Sequence, residues 1–239
     1  MAKVFIAGAT GYTGRALVEV ALARGHHVVA HIRPGSRSQL AAHFSKLGAT
    51  VDRTPWEPAA LQAALASLSP ELVFGLLGTT KSKARAAVKA GESAAANSYD
   101  AVDRGLTLML LEAAERAAPQ ARFVYLSSMG VSERAPGAYM AARWAVESRL
   151  RDCALAWTVA RPSFITGPDR DESRYGERIG AAVSDSALKT LAAIGLRGPY
   201  ARYGSMNGGQ LAESLLGASL DPDCVEKVLE TDDLRRFLA

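Results

Sequence analysis

Four side chains of this chain could carry out acid–base chemistry together. Ser127 and Ser128 close the apolar run FVYLSS, and Tyr139 follows twelve and eleven residues later at the head of YMAARWAVESRL. Arg143 comes four residues after Tyr139, so on a helix the phenol and the guanidinium project from one face. A phenol can exchange a proton with a carbonyl or alcohol oxygen when a nearby cation stabilises its anionic form. A serine hydroxyl would hydrogen-bond the same oxygen, and the spacing allows either Ser127 or Ser128. The competing reading is a helix-surface pair with no catalytic role. What decides between them is what the rest of the chain brings alongside.

The first fourteen residues, MAKVFIAGATGYTG, supply the strongest signal. Val4 to Ala7 form a short apolar run suited to a strand buried on both faces of a parallel sheet. Gly8, Gly11 and Gly14 follow with the spacing G-x-x-G-x-x-G, and Leu17, Val20, Ala21 and Arg24 then repeat at helical intervals. At such a strand-to-helix turn Gly8 lets the backbone bend and Gly11 removes a side chain where a pyrophosphate approaches. Gly14 lets the helix lie against the sheet. Free amides at the helix start would face phosphates, so the implied ligand is a dinucleotide.

The second strand, HVVAHIR from His27 to Arg33, runs into PGSRS. An acidic residue at this point would hold the ribose 2′-hydroxyl of NAD. Arg33 and Arg37 with Ser36 and Ser38 instead offer donors to a 2′-phosphate, and no Asp or Glu lies between His31 and Phe44. The expected cofactor is NADP, as NADPH, in preference to NAD. A solvated loop is the alternative reading of the two arginines.

Helices are expected around Ser38 to Leu47 and Pro58 to Ala66, with a short strand near Ala49 to Arg53 between them. Asp52 and Arg53 would lie beside the adenine. Leu72 to Leu77 reads as strand four, closing in Gly78, Thr79 and Thr80, where Gly78 would let the backbone near a nicotinamide ribose. The basic stretch KSKARAAVKAGESAAAN is read as a solvated loop or lid over the cleft. It lacks the interleaved aromatics of a nucleic-acid face. A long helix from about Ser98 to Ala118, strand five at Arg122 to Ser127 and strand six at Ala156 to Arg161 follow. A loop from Pro162 to Tyr175, helices near Glu177 to Ala193 and Gly209 to Leu220, and a closing strand near Val225 to Leu229 complete the reading. Alternating strands and helices imply an α/β, doubly wound parallel sheet of the Rossmann type, in one domain over 1–239. Residues 162–210 would form a small C-terminal substrate-side extension within it, including Phe164, Tyr175, Tyr200, Tyr203 and Met206.

With 239 residues, 49% hydrophobic and 22% charged, the chain suits one sizeable core. Nothing at the N-terminus reads as a signal peptide and no apolar run has the length of a membrane span, so the expectation is a soluble, cytoplasmic protein. Cys153 and Cys224 suggest neither a disulfide framework nor a metal site, and His26, His27, His31 and His43 show no ligand spacing. The net charge of +4 is spread along the chain and is accounted for by an anionic cofactor, without nucleic acid or a membrane as partner.

GATGYTG after the first strand, the strand-five serines, and a Tyr followed at i+4 by a base resemble the atypical branch of the short-chain dehydrogenase/reductase superfamily. The chain is closer still to the Tat-interacting-protein oxidoreductase group, with its NmrA-like fold. LGTT at Leu77 to Thr80, VDR at Val102 to Arg104, LSS at Leu126 to Ser128, RP at Arg161 and Pro162, and DRDESR at Asp169 to Arg174 match that group in order and approximate spacing, to about residue 210. The resemblance implies NADPH contacts from Gly8, Thr10, Gly11, Tyr12, Thr13 and Gly14, from Leu77, Gly78 and Thr79, and from Arg161, Pro162 and Ser163. It also implies a Ser-Tyr-Lys type active site at Ser127 or Ser128 and Tyr139. This chain departs from it by carrying Arg143 where the superfamily has Lys, which keeps the charge but in a bulkier, planar group.

Three readings follow. In the first, an NADPH-dependent oxidoreductase passes hydride to a carbonyl substrate with Tyr139 as proton donor. The second is a non-catalytic NADP(H)-sensing regulator of the same fold, with a protein partner. The third is a quinone-type reductase that does not depend on Tyr139.

Overall fold

In the computed structural model, which describes residues 1–34, 39–167 and 203–238, the first strand sets the architecture. β1 (Lys3–Ala7) sends Val4 and Ile6 into one apolar cluster and Phe5 and Ala7 into another. Alternation of side chains along a strand requires packing on both faces of the sheet. The chain then winds through α1 (Tyr12–Ala23), β2 (His27–His31), α2 (Leu40–Leu47), β3 (Thr50–Asp52), α3 (Pro58–Leu68) and β4 (Leu72–Gly75). Next come α4 (Lys81–Lys89), a π-helical segment (Asp100–Leu106) continuing into α5 (Thr107–Ala117), β5 (Arg122–Leu126), α6 (Ala138–Arg151) and β6 (Ala156–Arg161). The two-residue strands β7 (Ile165–Thr166) and β8 (Met206–Asn207), α7 (Gly208–Leu220), β9 (Lys227–Glu230) and α8 (Thr231–Arg235) complete the described chain.

The main sheet has seven strands in the order β3-β2-β1-β4-β5-β6-β9, and every pairing is parallel. The order reverses direction between β1 and β4, which leaves a crevice at their carboxyl ends. One face is covered by α1 and α7, through Leu17, Val18, Leu211 and Leu215. The other is covered by α3, α5 and α6, through Leu61, Leu65, Leu110, Leu111 and Val146 around Phe123, Tyr125 and Trp157. This is the doubly wound Rossmann fold expected from the alternation of strands and helices.

Local signals set several boundaries. Pro58 occupies the first turn of α3, and the Asn207 side chain accepts from the Gln210 amide while Gln210 answers from its own side chain, a capping box that starts α7. Two expectations are corrected. The basic stretch after β4 is not a loop: Lys81–Lys89 is helical, because an Ala-, Lys- and Arg-rich run without Gly or Pro favours helix even when exposed. The long helix before β5 does not begin as an α-helix but in the π-helical turn that turns Asp103 inward. β7, β8 and α8 were not expected; two-residue strands carry too little pattern to read.

Ser36, Arg37 and Ser38, the motif Asp169 to Arg174, Tyr175, Tyr200 and the helix expected at Glu177 to Ala193 lie outside the described residues. Among the described residues, no helix is long and apolar enough to cross a membrane, and no cluster of His, Cys, Asp and Glu could hold a metal.

Candidate active site

The crevice at the carboxyl ends of β1, β2, β4 and β5 forms a cleft with two lobes of about 570 and 260 Å³. Thr10, Gly11, Leu76, Leu77, Gly78 and Thr79 line both lobes and make them continuous. Gly8 turns the chain out of β1 with φ +87°, and a Cβ there would stand 2.6 Å from the Leu76 carbonyl oxygen. The Gly11 amide donates to the Gly8 carbonyl at 2.9 Å, and a Cβ on Gly14 would overlap that same carbonyl. The three glycines therefore fold the loop onto itself and deliver the first turn of α1 to the cleft. No side chain caps that turn and it holds no acidic residue, so the amides of Tyr12, Thr13 and Gly14 are free to meet an anion. This cradle fits a pyrophosphate.

The larger lobe lies towards β2. His31 and Arg33 line it at the strand's end, together with Trp56 and Asn97. The His31 ring is buried, bonds the Thr54 carbonyl at 2.9 Å through Nε2, and meets the Trp56 ring edge-on at 4.8 Å. Asp52 does not line the lobe. Its carboxylate accepts from the Thr54 amide and hydroxyl at 3.2 and 2.8 Å, and Arg53 is exposed, so the wall expected from these two is made by Trp56.

The smaller lobe gathers Tyr12, Ser127, Tyr139, Arg143 and Ile165. Arg143 runs inward from α6 and is almost fully buried. It donates from Nη1 to the Tyr125 hydroxyl at 3.2 Å and to the Leu126 carbonyl, and from Nη2 to the Leu77 carbonyl at 3.3 Å and to Asp103 Oδ1 at 2.8 Å. Its guanidinium carbon stands 5.1 Å from the centre of the Tyr139 ring. Asp103, wholly buried on the π-helical segment, also accepts the Thr79 amide at 2.8 Å. Burial works against the charge of Arg143, but Tyr125, Tyr139 and Asp103 outweigh it and hold the guanidinium above its ordinary pKa. Burial pushes the Tyr125 phenol up to about 12, with Arg143 pulling in the other direction. Gly78 has a further use here: a Cβ on it would stand 2.9 Å from Arg143 Nη2. Arg143 Nε is buried with no partner among the described residues.

The two serines separate. Ser127 Oγ donates to Glu147 Oε1 at 2.6 Å, and the fully buried Glu147 also accepts Arg161 Nε and Nη2 at 2.9 and 2.6 Å. The proton of Ser127 is thus committed inward, whereas Ser128 is half-buried and lines neither lobe. The same carboxylate draws Arg161 away from the cleft. Ser163 is held elsewhere, by Thr231 Oγ1 and the Gly204 carbonyl, and Arg161, Pro162 and Ser163 line neither lobe. Sequence reasoning missed Asp103, Trp56 and Asn97. An acidic residue two turns before the apolar face of α5 was the available signal for Asp103, since a buried carboxylate needs a cation.

A parallel sheet with a glycine loop at its carboxyl edge, opening a helix whose first amides have no side-chain cap, defines a dinucleotide-binding Rossmann domain. The chain belongs to the NAD(P)H-binding family, whose profile matches residues 8–188. Among solved structures it is similar to a Bacillus halodurans protein assigned as an NAD-dependent epimerase/dehydratase, with 16% identity, a TM-score of 0.67 and all of both chains covered. It is similar to the UDP-glucose 4-epimerase of Thermotoga maritima, solved with UDP-glucose, at 17% identity and a TM-score of 0.62 over 98% of this chain and 80% of that one. A yeast methylglyoxal/isovaleraldehyde reductase complexed with NADPH matches at 13% identity and a TM-score of 0.63, over 95% of this chain and 77% of that one. At these identities the likeness is one of fold. No curated protein matches the sequence.

Proposed function

We propose that this protein is an NADPH-dependent oxidoreductase that reduces a carbonyl group in the smaller lobe. The observation that carries the reading is the convergence of Tyr139 and Arg143 on the lobe that opens from the glycine loop. When bound, a reduced nicotinamide supplies a hydride. The chain's own residues do the rest. The Gly8–Gly14 loop and the first amides of α1 hold the pyrophosphate, and Leu77, Gly78 and Thr79 border the path from there to Tyr139. The Tyr139 hydroxyl donates a proton to the substrate oxygen; of the two serines it is Ser127 that lines this lobe, with its own proton given to Glu147. Arg143 lies against the Tyr139 ring as a fixed cation.

The preference for NADPH rests on Arg33, which lines the larger lobe at the end of β2 where an NAD enzyme carries an acid. A second reading, a sensor that binds NADP(H) without turnover, draws on one observation: Asp103 balances the charge of Arg143 inside the site. Oxidation of NADPH over a panel of aldehydes, ketones and quinones separates these readings. Turnover with an aldehyde or ketone that falls by about 10²–10⁴ in Tyr139→Phe supports the carbonyl reductase. Turnover indifferent to that change favours a quinone-type acceptor, and tight binding without turnover on any acceptor favours the sensor.

A further inference from the structure

Tyr12 does more than its place in the glycine loop requires. As the first residue of α1, it contributes one of the free amides of the phosphate cradle. Its side chain leaves the loop and reaches the β7–β8 pair. The hydroxyl donates to the Thr166 carbonyl at 3.0 Å and accepts from the Gly208 amide at 3.3 Å. Two glycines make room for it: a Cβ on Gly167 would overlap the hydroxyl, and a Cβ on Gly208 would stand 2.8 Å from the ring. Thr166 belongs to β7 and Gly208 follows directly on β8, so one phenol clasps the ends of both strands. Ile165 of β7 lines the smaller lobe together with Tyr139 and Arg143. The residue that offers its backbone to a phosphate therefore holds, with its side chain, the wall of the reacting lobe.

We propose that Tyr12 is a positioning residue that couples dinucleotide seating to the β7–β8 wall. An anion drawn onto the α1 amides restrains the backbone of Tyr12, and the clasp passes that restraint to Thr166 and Gly208. The wall carrying Ile165 is then firm when the cofactor is in place and looser when it is not. This goes beyond the carbonyl-reductase reading and needs only the binding of a dinucleotide by the glycine loop.

Amide hydrogen exchange on the full chain, with and without saturating NADPH, tests it. The readout is the ratio of exchange rates between the two conditions, which a merely structural contact would leave unaltered even if it changed the basal rate. In the wild type, NADPH slows exchange in residues 8–14 and, by about five- to tenfold, in peptides covering 164–167 and 206–208, the scale of one hydrogen bond. In Tyr12→Phe, measured at its own saturating NADPH, slowing in 8–14 persists and the effect at β7–β8 is lost. Gly167→Ala, whose Cβ would overlap the same hydroxyl, gives the same loss. A full wild-type ratio at β7–β8 in either variant overturns the proposal, as does a wild type in which NADPH protects 8–14 alone. Because no substrate is present, these outcomes are independent of whether a carbonyl is reduced.

Discussion

At the scale of single residues, the site is organised by one buried ion pair. Asp103 and Arg143 meet at 2.8 Å with almost no exposure, and each also bonds backbone of the β4 loop. Removing one partner strands the other charge in the interior, a loss of about 3–5 kcal/mol. Asp103→Ala should therefore lower stability by about that amount in urea unfolding, and Asp103→Asn, which still accepts hydrogen bonds, by less. Tyr125 offers a pH-dependent check. Its phenol stays protonated in the fold up to about 12, whereas the unfolded chain releases that proton near 10. The unfolded state is then favoured as pH climbs from 10 towards 12, so stability falls across that window. Tyr125→Phe should flatten this alkaline loss in denaturant titrations followed between pH 9 and 12.

At the scale of elements, the turn between β1 and α1 tolerates least. A Cβ on Gly14 would overlap the Gly8 carbonyl, so Gly14→Ala must push α1 away from the sheet or open the loop. The expected outcome is loss of NADPH binding in calorimetry of a chain that remains folded by circular dichroism. This turn was legible in the sequence because backbone geometry of that kind admits only glycine, and the apolar runs on either side mark strand and helix. Tyr139 and Arg143 were legible because a helix places i and i+4 on one face. Asp103 was not, since π-helical winding breaks the periodicity that sequence reasoning uses. Nor was the inward commitment of the Ser127 proton. It depends on Glu147, twenty residues on, which only the packing of α6 against β5 and β6 brings to Ser127. Arg161 was assigned to the cofactor from resemblance, and the same carboxylate explains why it faces away.

At the scale of the whole molecule, the seven-stranded parallel sheet brings loops distant in sequence to one edge. The glycine loop, the β4 loop and the start of α6 meet there only because β1, β4 and β5 are neighbours. The parallel, doubly wound sheet followed from the alternation of elements, while β7 and β8 form a pair beside the cleft that no periodic pattern announced. The most direct measurement of the account is deuterium transfer. NADPH deuterated at the transferring position would be incubated with the protein and a panel of aldehydes and ketones, and the alcohol products analysed by mass spectrometry. The account predicts deuterium on the former carbonyl carbon, with a rate that collapses in Tyr139→Phe. NADPH that binds tightly yet leaves every carbonyl unlabelled would contradict it.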